Sequence, residues 1–127
     1  MSSGSLIHKN DVEELISSVA QTIYDKKGYN IVVIDVKGVS SFTDYFIIAE
    51  GNIDRHVKAI SRSIQETTSE AGHSITHVEG MEEGDWIVLD YLDFIVHIFT
   101  PELRDRYRLE EVWKEGKVLD IAIQTEK

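Results

Sequence analysis

A chain of 127 residues with 23 acidic and 13 basic side chains, a formal charge of -10 and no cysteine suits one domain with a real core. The charge argues against a non-specific nucleic-acid binder and leaves room for a basic protein partner, while the missing thiols exclude a disulfide framework and a thiolate zinc site and favour a reducing compartment. No apolar run approaches the length of a membrane span, and the N-terminus lacks the order of a secretory signal, so a cytoplasmic protein is expected.

Residues 1–9 are small and polar and read as a loose leader. Asn10 is placed to cap a first helix and Glu13 to answer it, while Val12, Leu15, Ile16, Val19, Ala20 and Ile23 repeat at helical spacing as a core face. Lys26, Lys27 and Gly28 end that helix, with glycine supplying the turn. Residues 31–36 are β-branched almost throughout and predict a strand buried on both faces. A polar turn over 38–43 leads to a strand over 44–50, then through Gly51 and Asn52 to a long helix ending near Ala71 and Gly72. Ile53, Val57, Ile60 and Ile64 form its apolar stripe. Arg55, Lys58 and Arg62 lie off that stripe, on a face most simply read as solvated.

Residues 74–78 predict a short strand, and 79–84 an acidic turn bounded by glycine. Two apolar strands over 86–90 and 94–99, joined tightly at Tyr91 and Leu92, predict a hairpin at the centre of the sheet. Alternation sets Trp86, Val88 and Asp90 against Ile87 and Leu89, and Phe94, Val96 and Ile98 against Ile95, His97 and Phe99, so one face carries a polar residue among large apolar ones. Thr100 and Pro101 open a C-terminal helix. Leu103 and Tyr107 lie four apart, whereas Leu109, Val112 and Trp113 point to another sector, which predicts a bent or interrupted helix with Arg104, Arg106 and Arg108 on exposed sides. Residues 118–123 either add an edge strand or dock against one. The order predicts an α/β fold, a mixed sheet sandwiched by helices, with the domain over 10–116 and a tail over 117–127.

Catalytic signals are weak. Glu83 and Asp85 have a spacing that places two carboxylates on one face, with Asp90 and Asp93 nearby, but a metal site needs a third converging oxygen and the plain reading is a solvated turn. His8, His56, His73, His77 and His97 never take paired ligand spacing, and His97 reads as a structural or interface residue. No serine sits in a nucleophile elbow, and Gly51 alone supplies neither a dinucleotide fingerprint nor a phosphate loop. Neither cofactor nor metal is expected.

The hairpin carries a more specific pattern. Glu79, Gly80, Trp86, Asp90, Tyr91, Asp93, Val96, His97, Phe99, Arg104, Tyr107, Leu109, Glu110 and Trp113 compose an acidic-glycine turn, a tryptophan strand ending in Asp-Tyr, a Val-His-Xaa-Phe strand and an Arg-Xaa-Xaa-Tyr-Xaa-Leu-Glu-Xaa-Xaa-Trp end. Upstream, Asp35, Asp44, Tyr45, Phe46, Gly51, Asn52, Arg55, His56 and Val57 fit an Asp-Tyr-Phe strand and a glycine-to-helix junction. From about residue 11 to 113 the chain resembles the ribosomal silencing factor family, also called Iojap-related. Two positions depart from it. Ile53 stands where the family commonly has serine, removing a helix cap, and Leu92 stands where it often has glycine, constraining the turn and adding an exposed apolar group.

The resemblance implies a nucleotidyltransferase-like topology without an evident catalytic site. It implies a non-enzymatic translation repressor that binds the large ribosomal subunit through its conserved protein fourteen, blocks joining of the small subunit and forms a homodimer when free. An acidic chain is expected to dock beside a basic ribosomal protein with little direct rRNA contact. Trp86, Tyr91 and Leu92, read as one apolar group at a strand end, are expected to contact that protein, with core burial the alternative for Trp86. Asp90, Asp93, His97 and Glu110 are expected to orient the contact, or to be satisfied internally by Arg104 or another cation. Arg104 and Tyr107 join the expected partner-binding set. The rival reading is a metal-dependent nucleotidyltransferase-like enzyme.

Overall fold

The computed structural model describes residues 9–125. In chain order the elements are α1 Lys9–Asp25, β1 Tyr29–Asp35, β2 Tyr45–Glu50, α2 Asp54–Glu70, β3 His77–Glu79, β4 Trp86–Asp90, β5 Phe94–Phe99, α3 Pro101–Tyr107, α4 Leu109–Val112 and β6 Lys117–Leu119. The strands form one six-stranded mixed sheet in the order β3-β4-β5-β2-β1-β6. Only β2 and β5 pair in parallel, and they sit at its centre. The hairpin therefore contributes one central strand rather than two: β2 occupies the far side of β5, which leaves β4 next to the edge strand β3. Every residue of β2 and β5 is buried, because both faces of these strands are covered.

One face packs on the two long helices. The predicted α1 stripe is buried throughout, from Val12 to Ile23, and meets Val57, Ile60 and Ile64 of α2 over Tyr45, Ile47, Val96 and Ile98. Ile53 is not part of the stripe: it precedes the helix and is exposed. The predicted cap of α1 is displaced as well, since the helix begins at Lys9, one residue ahead of Asn10, and Glu13 instead accepts a hydrogen bond from the Tyr45 hydroxyl at 3.1 Å. At the other end of α1 the left-handed residue is Lys27, with φ 71°, rather than Gly28. Gly28 is needed for space, because a Cβ there would lie 2.5 Å from Ile23 Cγ2. The expected leader lies outside the described residues except for Lys9, which opens α1.

The opposite face is built from Val32, Ile34, Phe46, Ile48, Trp86, Val88, Ile95 and Phe99, and its cover is short: Leu103, Leu109 and Trp113 descend on it from α3 and α4. Arg108, at φ 48°, breaks the C-terminal helix into these two pieces. Thr100 stands at the start of α3, but its hydroxyl makes no capping bond, and its N–H donates to the Asp85 carbonyl at 2.9 Å. Arg104 is not on an exposed side, since it points inward to Glu50. Beyond α4, Lys117–Leu119 pairs antiparallel with β1 as the edge strand. The chain then runs back to α1, where the Gln21 side-chain amide and the Gln124 backbone exchange hydrogen bonds at 3.0 and 2.8 Å.

Two glycines separate backbone strain from crowding. Gly38 and Gly80 have φ of 81° and 88°, but a Cβ at Gly80 would lie 2.1 Å from the Trp86 carbonyl oxygen, whereas Gly38 has nothing within 4 Å. Gly38→Ala is expected to cost about 1 kcal/mol through its left-handed backbone alone. Gly80→Ala should cost at least about 2 kcal/mol more, because the β3–β4 turn must move off β4. Urea unfolding of both variants measures the difference, and equal losses would show that the turn does not press on the strand.

Candidate functional site

The half-covered face carries a continuous series of rings. Phe42 lies 5.9 Å from Trp113, Trp113 lies 5.1 Å from Phe46, and Phe46 lies 5.3 Å from His97. His97 lies 6.0 Å from Trp86, which in turn packs on Phe99 at 4.9 Å and on Tyr107 at 4.7 Å. Strand alternation explains the series, because Phe46, His97, Phe99 and Trp86 occupy same-face positions on three adjacent strands. Phe46, His97 and Phe99 are buried, Trp86 and Trp113 half-buried, and the ends are open: Phe42 is 61% and Tyr107 45% exposed, and Val112 beside Trp113 is 64% exposed. An apolar band with exposed aromatic ends suits a protein partner better than a small molecule.

His97 is the polar residue that alternation predicts for this face. It is buried, and its Nδ1 accepts a hydrogen bond from Trp86 Nε1–H at 3.1 Å, which fixes the neutral tautomer with the proton on Nε2. Burial lowers its pKa from 6.5 to about 4. Trp86 is thus held from below by His97 and flanked by Tyr107, half-buried rather than wholly core or wholly surface.

Arg104 anchors the cover. Its guanidinium lies 3.5 Å from Glu50 and pairs with Glu110, and it donates to the Asn30 carbonyl. Asn30 is the left-handed residue of a register shift in β1, with φ 52°, and its side-chain amide donates to Glu50 at 3.1 Å. Glu110 is therefore satisfied within the chain by Arg104, the internal alternative weighed for it.

The nine residues expected to bind a partner fall into two groups. Trp86, His97, Arg104, Tyr107 and Glu110 come together where β4 begins and β5 ends. Asp90, Tyr91, Leu92 and Asp93 lie at the other end of β4, about 13 Å or more along the strand. The single apolar group expected from Trp86, Tyr91 and Leu92 is therefore not formed. Tyr91 faces the long helices, 3% exposed, stacked on Phe94 at 4.8 Å and sharing a hydroxyl hydrogen bond with Thr68 at 2.9 Å. Asp90 accepts the Leu92 N–H at 2.8 Å, which closes the turn. Leu92 is 61% exposed, and Thr43 Oγ1–H donates to its carbonyl at 2.8 Å, so the Leu92 turn adjoins Phe42.

Sequence reading missed Phe42 and Phe46 as site residues. Phe42 is a single aromatic in a segment read as a polar turn, but alternation along β2, applied as it was to the hairpin, sets Phe46 on the face of Ile48 and His97. Glu83 and Asp85 are exposed in the turn before β4. Among the described residues no three His, Asp or Glu side chains gather as metal ligands.

Two measurements test the site's electrostatics. Arg104→Met leaves Glu50 and Glu110 without their cation and is expected to lower stability by about 3 to 5 kcal/mol. Adding Glu50→Gln and Glu110→Gln should recover part of that loss, and no recovery would show that Arg104 acts through packing alone. His97 binds a proton more readily unfolded than folded, so its share of stability is intact above 6.5 and is lost as pH falls from there toward about 4. Wild type should lose roughly 3 kcal/mol more across that window than His97→Gln, as followed by urea unfolding. Parallel pH profiles would show that His97 does not titrate as a buried neutral ring.

Comparison with known proteins agrees with this architecture. Residues 9–127 match the family described as ribosomal silencing factor during starvation. The Bacillus subtilis protein named ribosomal silencing factor RsfS is 33% identical over 109 residues, covering 86% of this chain and 92% of that protein. A mouse protein named mitochondrial assembly of ribosomal large subunit protein 1 is 29% identical over 124 residues, covering 92% of this chain and 53% of its own length. An X-ray structure of a Chromobacterium violaceum protein superimposes with a TM-score of 0.79 at 33% identity, over 91% of this chain and 96% of that one. The chain belongs to the ribosomal silencing factor family.

Proposed function

We propose that this protein represses translation in the cytoplasm by binding the large ribosomal subunit through its conserved protein fourteen and sterically blocking joining with the small subunit. The observation that carries the reading is the half-covered aromatic face, whose exposed ends, Tyr107 and Phe42, flank rings already held in place by the sheet. Rigid aromatic anchors lose little side-chain entropy on binding, and they dominate the energetics of protein interfaces. The net charge of -10 favours a basic partner protein and steers its approach. The name of the mouse relative, which speaks of large-subunit assembly, lends support from outside the chain. No catalytic step and no cofactor enter this mechanism.

In the free protein the same apolar band pairs with a second copy and is released to the ribosomal partner, so dimer and ribosome complex compete. Asp90, Leu92 and Asp93 border the band at the Phe42 end and orient the partner there, while Arg104 and Glu110 act by holding the cover in position.

Light scattering of mixed large and small subunits tests the proposal. Wild-type protein should suppress the joining signal. Tyr107→Ala, a change at a half-exposed side chain, should stay folded and require about tenfold more protein for half suppression, the equivalent of about 1.4 kcal/mol. Full potency in Tyr107→Ala would remove the aromatic face from the contact. Absence of suppression by wild type would sink the function itself.

A further inference from the structure

Arg55, Lys58 and Arg62 lie three and four residues apart along α2, off its buried stripe, and so share one side of the helix. In a chain with 23 acidic residues these cations make no ion pair among the described residues. Two pairs with the spacing for one stand open, Asp54 with Lys58 and Arg62 with Glu66. Asp54 is turned to its own backbone, where its carboxylate accepts the Arg55 N–H at 2.7 Å. By contrast, Lys37, Arg104 and Arg108 each meet a carboxylate.

The position of the stripe gives it a direction. A Cβ on Gly84 would lie 2.7 Å from Lys58 Cε and 3.0 Å from the Asp54 carbonyl oxygen, so the turn before β4 lies directly against the first turns of α2. Two residues beyond Gly84 is Trp86, packed on Tyr107. The cations and the Trp86–Tyr107 end of the aromatic face therefore border the same turn, at the same end of the sheet. A surface that covers one lies beside the other.

Resting on the ribosome-binding reading above, we propose that Arg55, Lys58 and Arg62 seat on the RNA phosphate backbone of the large subunit, next to the protein contact made by the aromatic face. On a ribosomal particle the abundant anion is RNA, and a protein partner suited to an acidic chain is itself basic and repels this stripe. From Arg55 to Arg62 the helix advances about 10 Å, the axial length of about three phosphates on one strand. With the rest of the chain strongly acidic, RNA contact is confined to this stripe. It fixes orientation on the subunit, and the aromatic face supplies the affinity.

The test has two arms on the full chain with purified large subunits. In the first, subunit affinity is measured over a salt series for wild type and for Arg55→Gln/Lys58→Gln/Arg62→Gln. The triple variant is expected to bind more weakly at low salt and to lower the slope of log affinity against log salt by about 2 to 3. An unchanged slope with wild-type affinity would overturn the stripe and leave the aromatic contact standing. In the second, Ala59→Cys, exposed between the cations, takes a photoreactive maleimide at the only thiol in the chain. A crosslink removed by ribonuclease supports the proposal. A crosslink that resists ribonuclease but yields to protease assigns the stripe to a ribosomal protein and overturns it, as does absence of any crosslink while the labelled protein binds. Failure of unlabelled wild type to bind subunits at all would remove the function proposed above and this inference with it.

Discussion

Arg104 holds together parts of the chain that are distant in sequence. Its guanidinium joins the end of β2 at Glu50, the bulge of β1 at Asn30 and the start of α4 at Glu110. Its side chain is 11% exposed and that of Glu50 10%, so these charges have lost most of their water. A buried carboxylate and guanidinium are tolerable only when their hydrogen-bonding capacity is used, and here each group is met by more than one partner. The left-handed Asn30 is part of the same solution: its carbonyl turns to the arginine while its side-chain amide reaches Glu50. The short C-terminal helices bury no residue completely and could not cover the sheet by apolar contact alone. The ionic junction fixes where they sit, and thereby how much of the aromatic face stays open.

The two faces of the sheet are finished differently, and this difference separates stability from recognition. Over one face, two 17-residue helices bury a mainly aliphatic layer. Over the other, the cover stops short and rings fill the space, with His97 as the buried polar member. A neutral imidazole can accept from the Trp86 indole N–H, which an aliphatic side chain at that position cannot do. Without that acceptor the indole N–H would be left unpaired against a protein partner. The hydrogen bond lets a large aromatic lie at the border of the face with its polar atom already satisfied.

Much of this was legible in the sequence wherever periodicity ran undisturbed. The α1 stripe, the faces of β4 and β5 and the break in the C-terminal helix follow from spacing, and the hairpin limits coincide with those expected. What could not be read depended on contacts between distant segments. Arg104 looks like one of several surface arginines until the bulge of β1 and the end of β2 are brought beside it. Tyr91 reads as an exposed turn residue, but α2 lies over it and Thr68 meets its hydroxyl. Phe42 carries no periodic signal at all, and its ring neighbours, Phe46 at 6.3 Å and Trp113 at 5.9 Å, are supplied only when β2 and the far end of the chain fold beside it.

The two departures from the family pattern show how local misfits are absorbed. Ile53 precedes α2 in an extended conformation and offers no side-chain cap, so the helix start must be secured otherwise. His56 does this from inside the first turn: its Nδ1 accepts the Asn52 N–H at 2.9 Å, and its Nε2–H donates to the Lys26 carbonyl at 2.7 Å. One imidazole thus satisfies a backbone donor before α2 and a backbone acceptor after α1, tying the two long helices together where serine would have capped only one. Leu92 has no such substitute. It holds a left-handed φ of 73°, a conformation glycine adopts without penalty and leucine only at about 1 to 2 kcal/mol. The turn compels it, because Asp90 takes its N–H and Thr43 its carbonyl. Those two bonds, which need only the backbone at position 92, turn an apolar side chain outward beside Phe42, at the open end of the aromatic face.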